Sequence, residues 1–161
     1  MKRITPFLWF DDNAEDAAKF YTSIFKKSKI TKIARYGDAG SDVTGRPAGS
    51  VMTVAFVLDG QHFTALNGGP VFQFNEAVSF VVDCATQEEI DYYWKRLSKG
   101  GKTSRCGWLK DKFGVSWQIV PQVLGDLMSS KDSAKAERVM SALLKMTKLD
   151  IKRLQLAAVK K

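Results

Sequence analysis

The positions of apolar residues in the first part of the chain predict a strand, a helix and further strands. Residues 4–10 form an apolar, β-branched and aromatic run that stops at Asp11-Asp12-Asn13, as a strand does where it leads into a helix. Asn13 is a favourable N-cap residue, and apolar side chains recur behind it at helical spacing. An alternating pattern over residues 28–36 and apolar runs over residues 51–58 and 62–66 predict strands. An Asp-Gly pair between the last two predicts a tight hairpin, so the expected order is β-α-β-β-β.

The second part of the chain repeats this order. Residues 78–82 predict a strand, and Thr86 begins a Thr-Gln-Glu-Glu capping box ahead of an amphipathic helix. Runs over residues 103–110 and 115–120 predict two strands on either side of an Asp-Lys-Phe-Gly turn. Because the predicted helix caps Asn13 and Thr86 are 73 residues apart and the element order recurs, the sequence indicates an internal duplication.

Beyond Pro121 the apolar pattern becomes helical. Residues 136–144 carry one apolar stripe, and the Thr-Lys-Leu-Asp sequence at 147–150 predicts a capping box ahead of a second stripe that starts at Ile151. Two short amphipathic helices are not stable alone in water. We therefore expect residues 131–161 to form a helical extension that packs on the body of the chain or on a partner.

The distribution of charge limits what the basic composition implies. The 161 residues include 25 Lys and Arg against 17 Asp and Glu, which gives a formal charge of +8. Nine of the basic residues and three of the acidic ones lie in residues 131–161, so residues 1–130 are nearly neutral. Because the basic tail lacks interleaved aromatic residues, we expect no nucleic-acid partner.

The remaining composition favours a cytoplasmic protein. No apolar run approaches the length of a membrane span, and the N-terminal sequence turns acidic before a signal-peptide core could form, so we expect no membrane partner. Cys84 and Cys106 are then expected to be reduced. With His62 as the single histidine, the usual Cys/His zinc site cannot be assembled.

The chain resembles the PhnB-like family of the vicinal oxygen chelate superfamily, which also contains glyoxalases, dioxygenases and bleomycin-resistance proteins. The resemblance lies in the stretches FLWFDDNAEDAAKFY, ALNGGPVFQFNEAVSF, TQEEIDYYW, CGWLKDKFGVSWQIVP and MTKLDIKRLQLA. It implies an α+β fold of tandem βαβββ modules with curved mixed sheets around a cavity, usually in a homodimer. We accordingly expect one domain over residues 1–130, made of modules 1–70 and 71–125, followed by the extension.

The resemblance also locates the metal ligands of the superfamily, which lie on equivalent strands of both modules. Counted from the helix starts and from Gly114, the corresponding residues here are Pro6, Ala77 and Gln118. Proline and alanine side chains have no donor atom, and a neutral glutamine amide is a weak ligand for a transition metal. We therefore expect no metal. We expect no other cofactor either, since the glycines of residues 37–49 are typical of a loop rather than of a methyl-donor site.

Seven residues are candidate ligand-binding residues of the cavity that the resemblance implies. They are Leu8, Phe10, Asn67, Cys106, Trp108, Ser116 and Gln118. Strand alternation places Leu8 with Phe10, and Ser116 with Gln118, on faces that match the superfamily ligand positions. Such a surface, mostly apolar with a few hydrogen-bonding groups, suits a small and partly aromatic organic molecule. Plain core packing is the alternative for Leu8 and Phe10.

The sequence leaves two possible roles open for each of three side chains, Cys106, Trp108 and His62. Cys106 and Trp108 are predicted same-face neighbours on one strand, and Lys110 continues that face. A neighbouring cation could make Cys106 a nucleophile, whereas a packed and inert thiol is the alternative. Trp108 either stacks on a ligand ring or packs. His62 is the natural acid/base by its ordinary pKa, but its strand position predicts an outward side chain.

The sequence leaves two kinds of function open and assigns no catalytic residue. The first is a metal-independent protein, enzyme or not, that takes a small organic ligand in the cavity between the modules. The second is a sequestering protein of the bleomycin-resistance type, which binds without reaction. Proteins of the resembled family often carry the label 3-demethylubiquinone-9 3-methyltransferase, which adds methyl transfer to a quinone or phenol as a further alternative.

Overall fold

The computed structural model describes residues 4–129 and 132–159 of the chain. The chain divides into two compact units, Met1–Phe74 and Asn75–Lys161. Each unit contains one four-stranded mixed sheet with helices, which confirms the predicted α+β class. Parts of the predicted first module and of the predicted C-terminal extension lie outside the described residues, namely residues 1–3, 131, 160 and 161.

The first unit has the predicted β-α-β-β-β order with one addition. Its elements are β1 (Phe7–Phe10), α1 (Ala14–Ile24), β2 (Lys29–Arg35), α2 (Asp38–Thr44), β3 (Val51–Leu58) and β4 (Gln61–Asn67). The strand order in the sheet is β1-β4-β3-β2, with β1 parallel to β4 and the other pairs antiparallel. The predicted hairpin is confirmed, since Asp59 and Gly60 both have positive φ, 43° and 81°. The loop predicted over residues 37–49 instead contains the short helix α2.

Helix α1 packs on one face of the first sheet. The ring of Tyr21 stacks on Phe56 of β3 with 6.2 Å between centroids, and Phe56 stacks on Phe63 of β4 at 5.3 Å. All three rings are buried. Fully burying a large apolar side chain contributes roughly 1.5–3 kcal/mol, so this column of rings holds helix and sheet together.

The second unit repeats the topology and adds three helices. Its elements are β5 (Phe80–Cys84), α3 (Gln87–Leu97), β6 (Lys102–Thr103), β7 (Trp108–Lys110), β8 (Ser116–Pro121), α4 (Val123–Met128), α5 (Ser133–Leu143) and α6 (Ile151–Ala158). The strand order β5-β8-β7-β6, with β5 parallel to β8, matches that of the first sheet strand for strand. The predicted internal duplication is therefore confirmed at the level of topology.

Helix α3 begins with the predicted capping box. The Thr86 hydroxyl oxygen accepts a hydrogen bond from the Glu89 backbone N–H at 3.3 Å, and the Glu89 carboxylate accepts one from the Ala85 N–H at 2.7 Å. One N–H group of the first helical turn and the N–H group of the residue before the N-cap are thus paired. The local sequence was sufficient to predict this contact because all of its partners lie within four residues.

The C-terminal helices form their own core within the second unit. Val139 and Leu154 of the predicted stripes are fully buried together with Leu149, whereas Leu144 is 55% exposed. The capping box predicted at Thr147 is wrong, because α6 is capped by Asp150, whose carboxylate accepts from the Arg153 N–H at 2.8 Å.

The segment between α5 and α6 is attached to α3. The side-chain amide of Gln87 donates to the Leu149 carbonyl at 3.1 Å and accepts from the Ile151 N–H at 2.9 Å. Lys148 and Asp91 form an ion pair at 2.6 Å beside these bonds. The expectation that the extension packs on the body of the chain is confirmed for these described residues. No helix in the described part of the chain has both the length and the apolar character to cross a membrane.

Candidate ligand-binding cleft

A cleft of about 860 Å³ opens on the second unit along β6 and β7. Its lining consists of Glu76, residues 100–106, residues 108–112, Gly114 and Ser116. Trp108, Lys110 and Ser116 belong to one face of the sheet, since Lys110 pairs with Ser116 across β7 and β8. The neighbouring side chains Leu109 and Trp117 point to the opposite face and are buried. The cleft is therefore built on the face of the second sheet that its core does not use.

The wall of the cleft arises where the predicted strand over residues 103–110 is interrupted. Cys106 and Gly107 have φ values of 59° and 80°, in the left-handed region, so β6 and β7 are separate short strands. A Cβ atom on Gly107 would lie 2.6 Å from the carbonyl oxygen of Ile119, so only glycine fits there. The prediction that Cys106 and Trp108 are same-face neighbours on one strand is wrong. Both nevertheless line the cleft.

The C-terminal segment supports this wall from behind. The Cys106 N–H donates to the Met146 carbonyl and the Gly107 N–H donates to the Thr147 carbonyl, each at 2.8 Å. The Cys106 thiol donates weakly to the Leu143 carbonyl at 3.7 Å. These contacts join residues far apart in the sequence, and no local pattern predicts them. The wall of the cleft thus depends on the docked C-terminal helices.

Ser116 is a buried polar residue of the cleft. The residue lines the cleft and is 2% exposed, and its hydroxyl has no hydrogen-bond partner among the described residues. Leaving a buried hydroxyl unpaired costs about 1–3 kcal/mol relative to pairing it. Such a cost is expected where the group has a role other than stabilising the fold.

An ion pair lies at the edge of the same cleft. The Lys110 ammonium contacts the Glu76 carboxylate at 2.6 Å. The hydrogen bond from Lys110 is the main reason that the pKa of the Glu76 carboxyl lies below its ordinary value. Both side chains are substantially exposed to solvent, so the pair contributes little to stability by itself.

The turn that closes the cleft between β7 and β8 is organised by a buried carboxylate. One oxygen of Asp111 accepts from the backbone N–H groups of Phe113 and Val115 at 2.8 and 3.1 Å. The other accepts from the indole N–H of Trp117 at 2.8 Å. Asp111 is 3% exposed, and these bonds occupy both of its oxygens. Its role in the cleft is therefore to hold the turn.

The two cysteines lie in different environments, and both are free thiols. Burial raises the pKa of the Cys84 thiol to about 12, which makes it unreactive at neutral pH. Cys106 is half-buried and lines the cleft. Of the two thiols, Cys106 is the one that a molecule in the cleft would contact.

The cleft brings together three of the seven predicted site residues, Cys106, Trp108 and Ser116. Gln118 follows on the same sheet face but lies outside the lining, and its amide donates to the Ser79 hydroxyl at 2.9 Å. Sequence reasoning missed Glu76 as a contributor. Glu76 forms an ion pair with Lys110, which lies 34 residues further along the chain, and no local sequence pattern predicts that contact.

Leu8 and Phe10 lie in the first unit, in the face of the sheet that α1 covers. The β1–β4 register pairs them with Ala65 and Asn67, which share a face of β4 with the buried ring of Phe63. They are 8% and 2% exposed. Core packing of the first unit accounts for both.

Asn67 has a structural role at the start of α1. Its side-chain oxygen accepts from the Ala14 N–H at 2.8 Å, and its amide donates to the Val51 carbonyl at 3.0 Å. Asn13 occupies the N-cap position but makes no capping hydrogen bond with its side chain, so the predicted cap is wrong in this respect. Asn67 also borders a smaller polar cleft of about 310 Å³ in the first unit.

The donor set does not suit a divalent metal. At the positions predicted from the superfamily, Pro6 and Ala77 offer no side-chain donor, and the Gln118 amide is bonded to Ser79. No group of three or more His, Cys, Asp or Glu side chains that could hold a metal ion occurs among the described residues. His62 is exposed on β4, as the strand pattern predicted.

The two four-stranded sheets with matching β-α-β-β-β connections have the fold of the vicinal oxygen chelate superfamily. Within it, residues 2–120 match the family described as 3-demethylubiquinone-9 3-methyltransferase, and the chain belongs to this PhnB-like family. The match ends before the C-terminal helices, so the stretch MTKLDIKRLQLA lies outside it. No curated protein sequence matches the chain.

One solved structure supports the family, and two more distant ones support the fold. A PhnB protein from Bacillus cereus, provisionally described as a 3-demethylubiquinone-9 3-methyltransferase, is 37% identical over 74% of this chain and 99% of its own, with a TM-score of 0.66. Protein PA1353 from Pseudomonas aeruginosa is 19% identical over 75% of this chain and 98% of its own, with a TM-score of 0.60. The fosfomycin resistance protein FosX from Listeria monocytogenes, in complex with Mn(II) and sulfate, is 17% identical over 73% and 89% of the two chains, with a TM-score of 0.51.

Proposed function

We propose that this chain binds a small organic molecule, with planar aromatic molecules preferred, in the cleft of its second unit. The observation that supports this most directly is the presence of Trp108 and Ser116 in one cleft of about 860 Å³. Ligand pockets typically measure ~300–1,000 Å³ and combine apolar walls with a few polar groups. The half-buried ring of Trp108 is a flat apolar surface, and stacked rings contribute about 0.5–1.5 kcal/mol beyond their buried area.

The binding is proposed to be independent of a metal ion. The donor chemistry of Pro6, Ala77 and Gln118 supports this, since only a neutral amide is present at the three positions. Elemental analysis of the dialysed full-length protein is expected to find no stoichiometric metal. One bound zinc, nickel or manganese ion per chain would contradict this part of the proposal.

A thermal-shift experiment tests the binding site. A panel of small aromatic compounds is added to the full chain, and a ligand at 100 times its Kd stabilises the protein by about 2.7 kcal/mol. Trp108→Ala should abolish the shift. Trp94→Ala is the matched control, because Trp94 is also half-buried in the second unit but does not line the cleft. A shift that persists in Trp108→Ala and disappears in Trp94→Ala would place the ligand elsewhere.

The family description makes methyl transfer to a phenol or quinone the second candidate function. A phenol must lose its proton to a base, and the cleft offers Glu76, Cys106 and Lys110 as titratable groups. The chain is incubated with S-adenosylmethionine and the phenols that bind. An O-methylated product supports transfer, whereas quantitative recovery of the unchanged phenol supports sequestration of the bleomycin-resistance type.

Cytoplasmic location is proposed on the basis of the two free thiols, Cys84 and Cys106. Fractionation of the cells that produce the protein tests this directly. Recovery from a secreted or membrane fraction would contradict it.

A further inference from the structure

The charges that line the cleft are not balanced. The lining contains the cations Lys102, Arg105, Lys110 and Lys112 and the carboxylates of Glu76 and Asp111. Asp111 is occupied by three N–H donors, and Glu76 is paired with Lys110. Lys102 and Arg105 form no ion pair with a carboxylate in the described part of the chain. The lining therefore carries more positive than negative charge, which favours an anionic ligand.

Ser116 is a buried polar residue in the lining of this cleft. Its hydroxyl is buried and has no partner among the described residues, although a serine hydroxyl both donates and accepts. Because β7 and β8 pair Lys110 with Ser116, the hydroxyl lies on the same sheet face as the ammonium-bearing side chain. A negatively charged oxygen of a ligand placed there would accept a hydrogen bond from Ser116, and hydrogen bonds to charged groups are the stronger ones.

The largest apolar side chain of the lining, Trp108, lies next to one of these cations. Trp108 is two residues from Lys110 on the same face of β7, so its ring lies beside the cationic group rather than opposite it. A ligand that contacts both would be flat at one end and acidic at the other.

We propose that the ligand of the cleft is a small aromatic acid in its anionic form, with its ring against Trp108 and its carboxylate or phenolate oxygen near Ser116. This inference rests on the proposed binding function and names its ligand class. The unpaired hydroxyl of Ser116 provides the hydrogen bond, and the excess of cations provides the charge preference.

Matched pairs of probes test the ligand class on the full chain. Isothermal titration compares benzoate with benzamide, 4-hydroxybenzoate with 4-hydroxybenzamide, and indole-3-acetate with indole-3-acetamide. We expect the acid of at least one pair to bind ten-fold or more tightly than its amide, and this preference to decrease as the salt concentration rises. An amide that binds as tightly as its acid in every pair would refute the ligand class and leave the proposed binding function intact.

Variants test whether the named residues cause the preference for the acid over its amide. Ser116→Ala should lower the affinity for the acid about ten-fold. Ser79→Ala should leave this affinity unchanged, because Ser79 lies outside the lining. The double variant Lys102→Met/Arg105→Met should remove the preference for the acid. The double variant Lys95→Met/Lys152→Met carries the same change in net charge on exposed residues outside the cleft and should retain it. If none of the six probes nor any compound of the thermal-shift panel binds, the proposed function itself is wrong.

Discussion

Lys110 and Ser116 are direct partners across β7 and β8, yet the polar groups of their side chains differ in their hydrogen bonding. The Lys110 ammonium is paired with Glu76 at 2.6 Å, whereas the buried Ser116 hydroxyl has no partner among the described residues. A stable fold has no need of an unpaired buried hydroxyl, because alanine fits the same space. The proposed contact of Ser116 with a ligand would give this hydroxyl a partner.

Replacing Ser116 is therefore expected to stabilise the free protein. Ser116→Ala removes a hydroxyl that is desolvated without compensation, and the free energy of unfolding should rise by about 1 kcal/mol. Urea denaturation of the ligand-free protein measures this change. Ser79→Ala serves as the control and should lower the stability slightly, since the Ser79 hydroxyl accepts from Gln118. A loss of stability in Ser116→Ala larger than that of the control would mean that the hydroxyl has a structural partner.

Gly107 should tolerate alanine far less well than Gly125. Its φ is 80°, and a Cβ would approach both the Ile119 carbonyl and the Leu149 side chain. Gly107→Ala is expected to cost at least ~2 kcal/mol of unfolding free energy, since it combines backbone strain with a steric clash. Gly125→Ala is the control, because Gly125 lies in α4 and an added Cβ there would have open space around it, so alanine should stabilise by about 0.5–1 kcal/mol. Equal effects of the two variants would contradict the tight packing of the wall.

The ion pair of Glu76 and Lys110 should make the stability depend on pH in the acid range. The pKa of Glu76 is lowered in the folded protein, chiefly by the hydrogen bond from Lys110, so its contribution is fully present above the ordinary value of 4.5. That contribution is lost as the pH falls through the lowered pKa. The difference in stability between the natural chain and Glu76→Gln should therefore shrink below pH 4.5. A difference that grows on acidification would contradict the direction of the shift.

The protein is expected to form a homodimer. In the first unit, Phe7, Val71 and Phe72 are 60%, 70% and 62% exposed, and β1 and β2 are edge strands of their sheet. Exposed apolar side chains and open edges are commonly covered by a second copy of the chain. Light scattering should give about twice the chain mass of 18.0 kDa. A single species of one chain mass at micromolar concentration would refute this.

The sequence predicted the parts of the fold whose partners are close along the chain. The Asp59-Gly60 hairpin and the Thr86 capping box each depend on a few consecutive residues, and both are confirmed. The cap of α1 comes from Asn67, 53 residues beyond Ala14, and the sequence pattern assigned it to Asn13.

The cleft was predictable only in part for the same reason. Strand alternation correctly placed Trp108 with Lys110 on one face, because period-two alternation is a local property, whereas the pairing of Lys110 with Ser116 is a property of the sheet register. The left-handed turn at Cys106 is held by carbonyl groups of Met146 and Thr147, which no pattern around Cys106 reveals. Neither does the sequence reveal that the Ser116 hydroxyl lacks a partner, since this depends on every neighbour in space.

The measurement that tests the location of the ligand most directly is protection of the Cys106 thiol. Cys106 lines the cleft, whereas burial raises the pKa of Cys84 to about 12, so alkylation at neutral pH should modify Cys106 alone. Mass spectrometry follows the rate with iodoacetamide in the presence and absence of a ligand that raises the melting temperature. If the ligand occupies the cleft, saturation should slow alkylation of Cys106 at least ten-fold. A ligand that stabilises the protein but leaves this rate unchanged would contradict binding in the cleft.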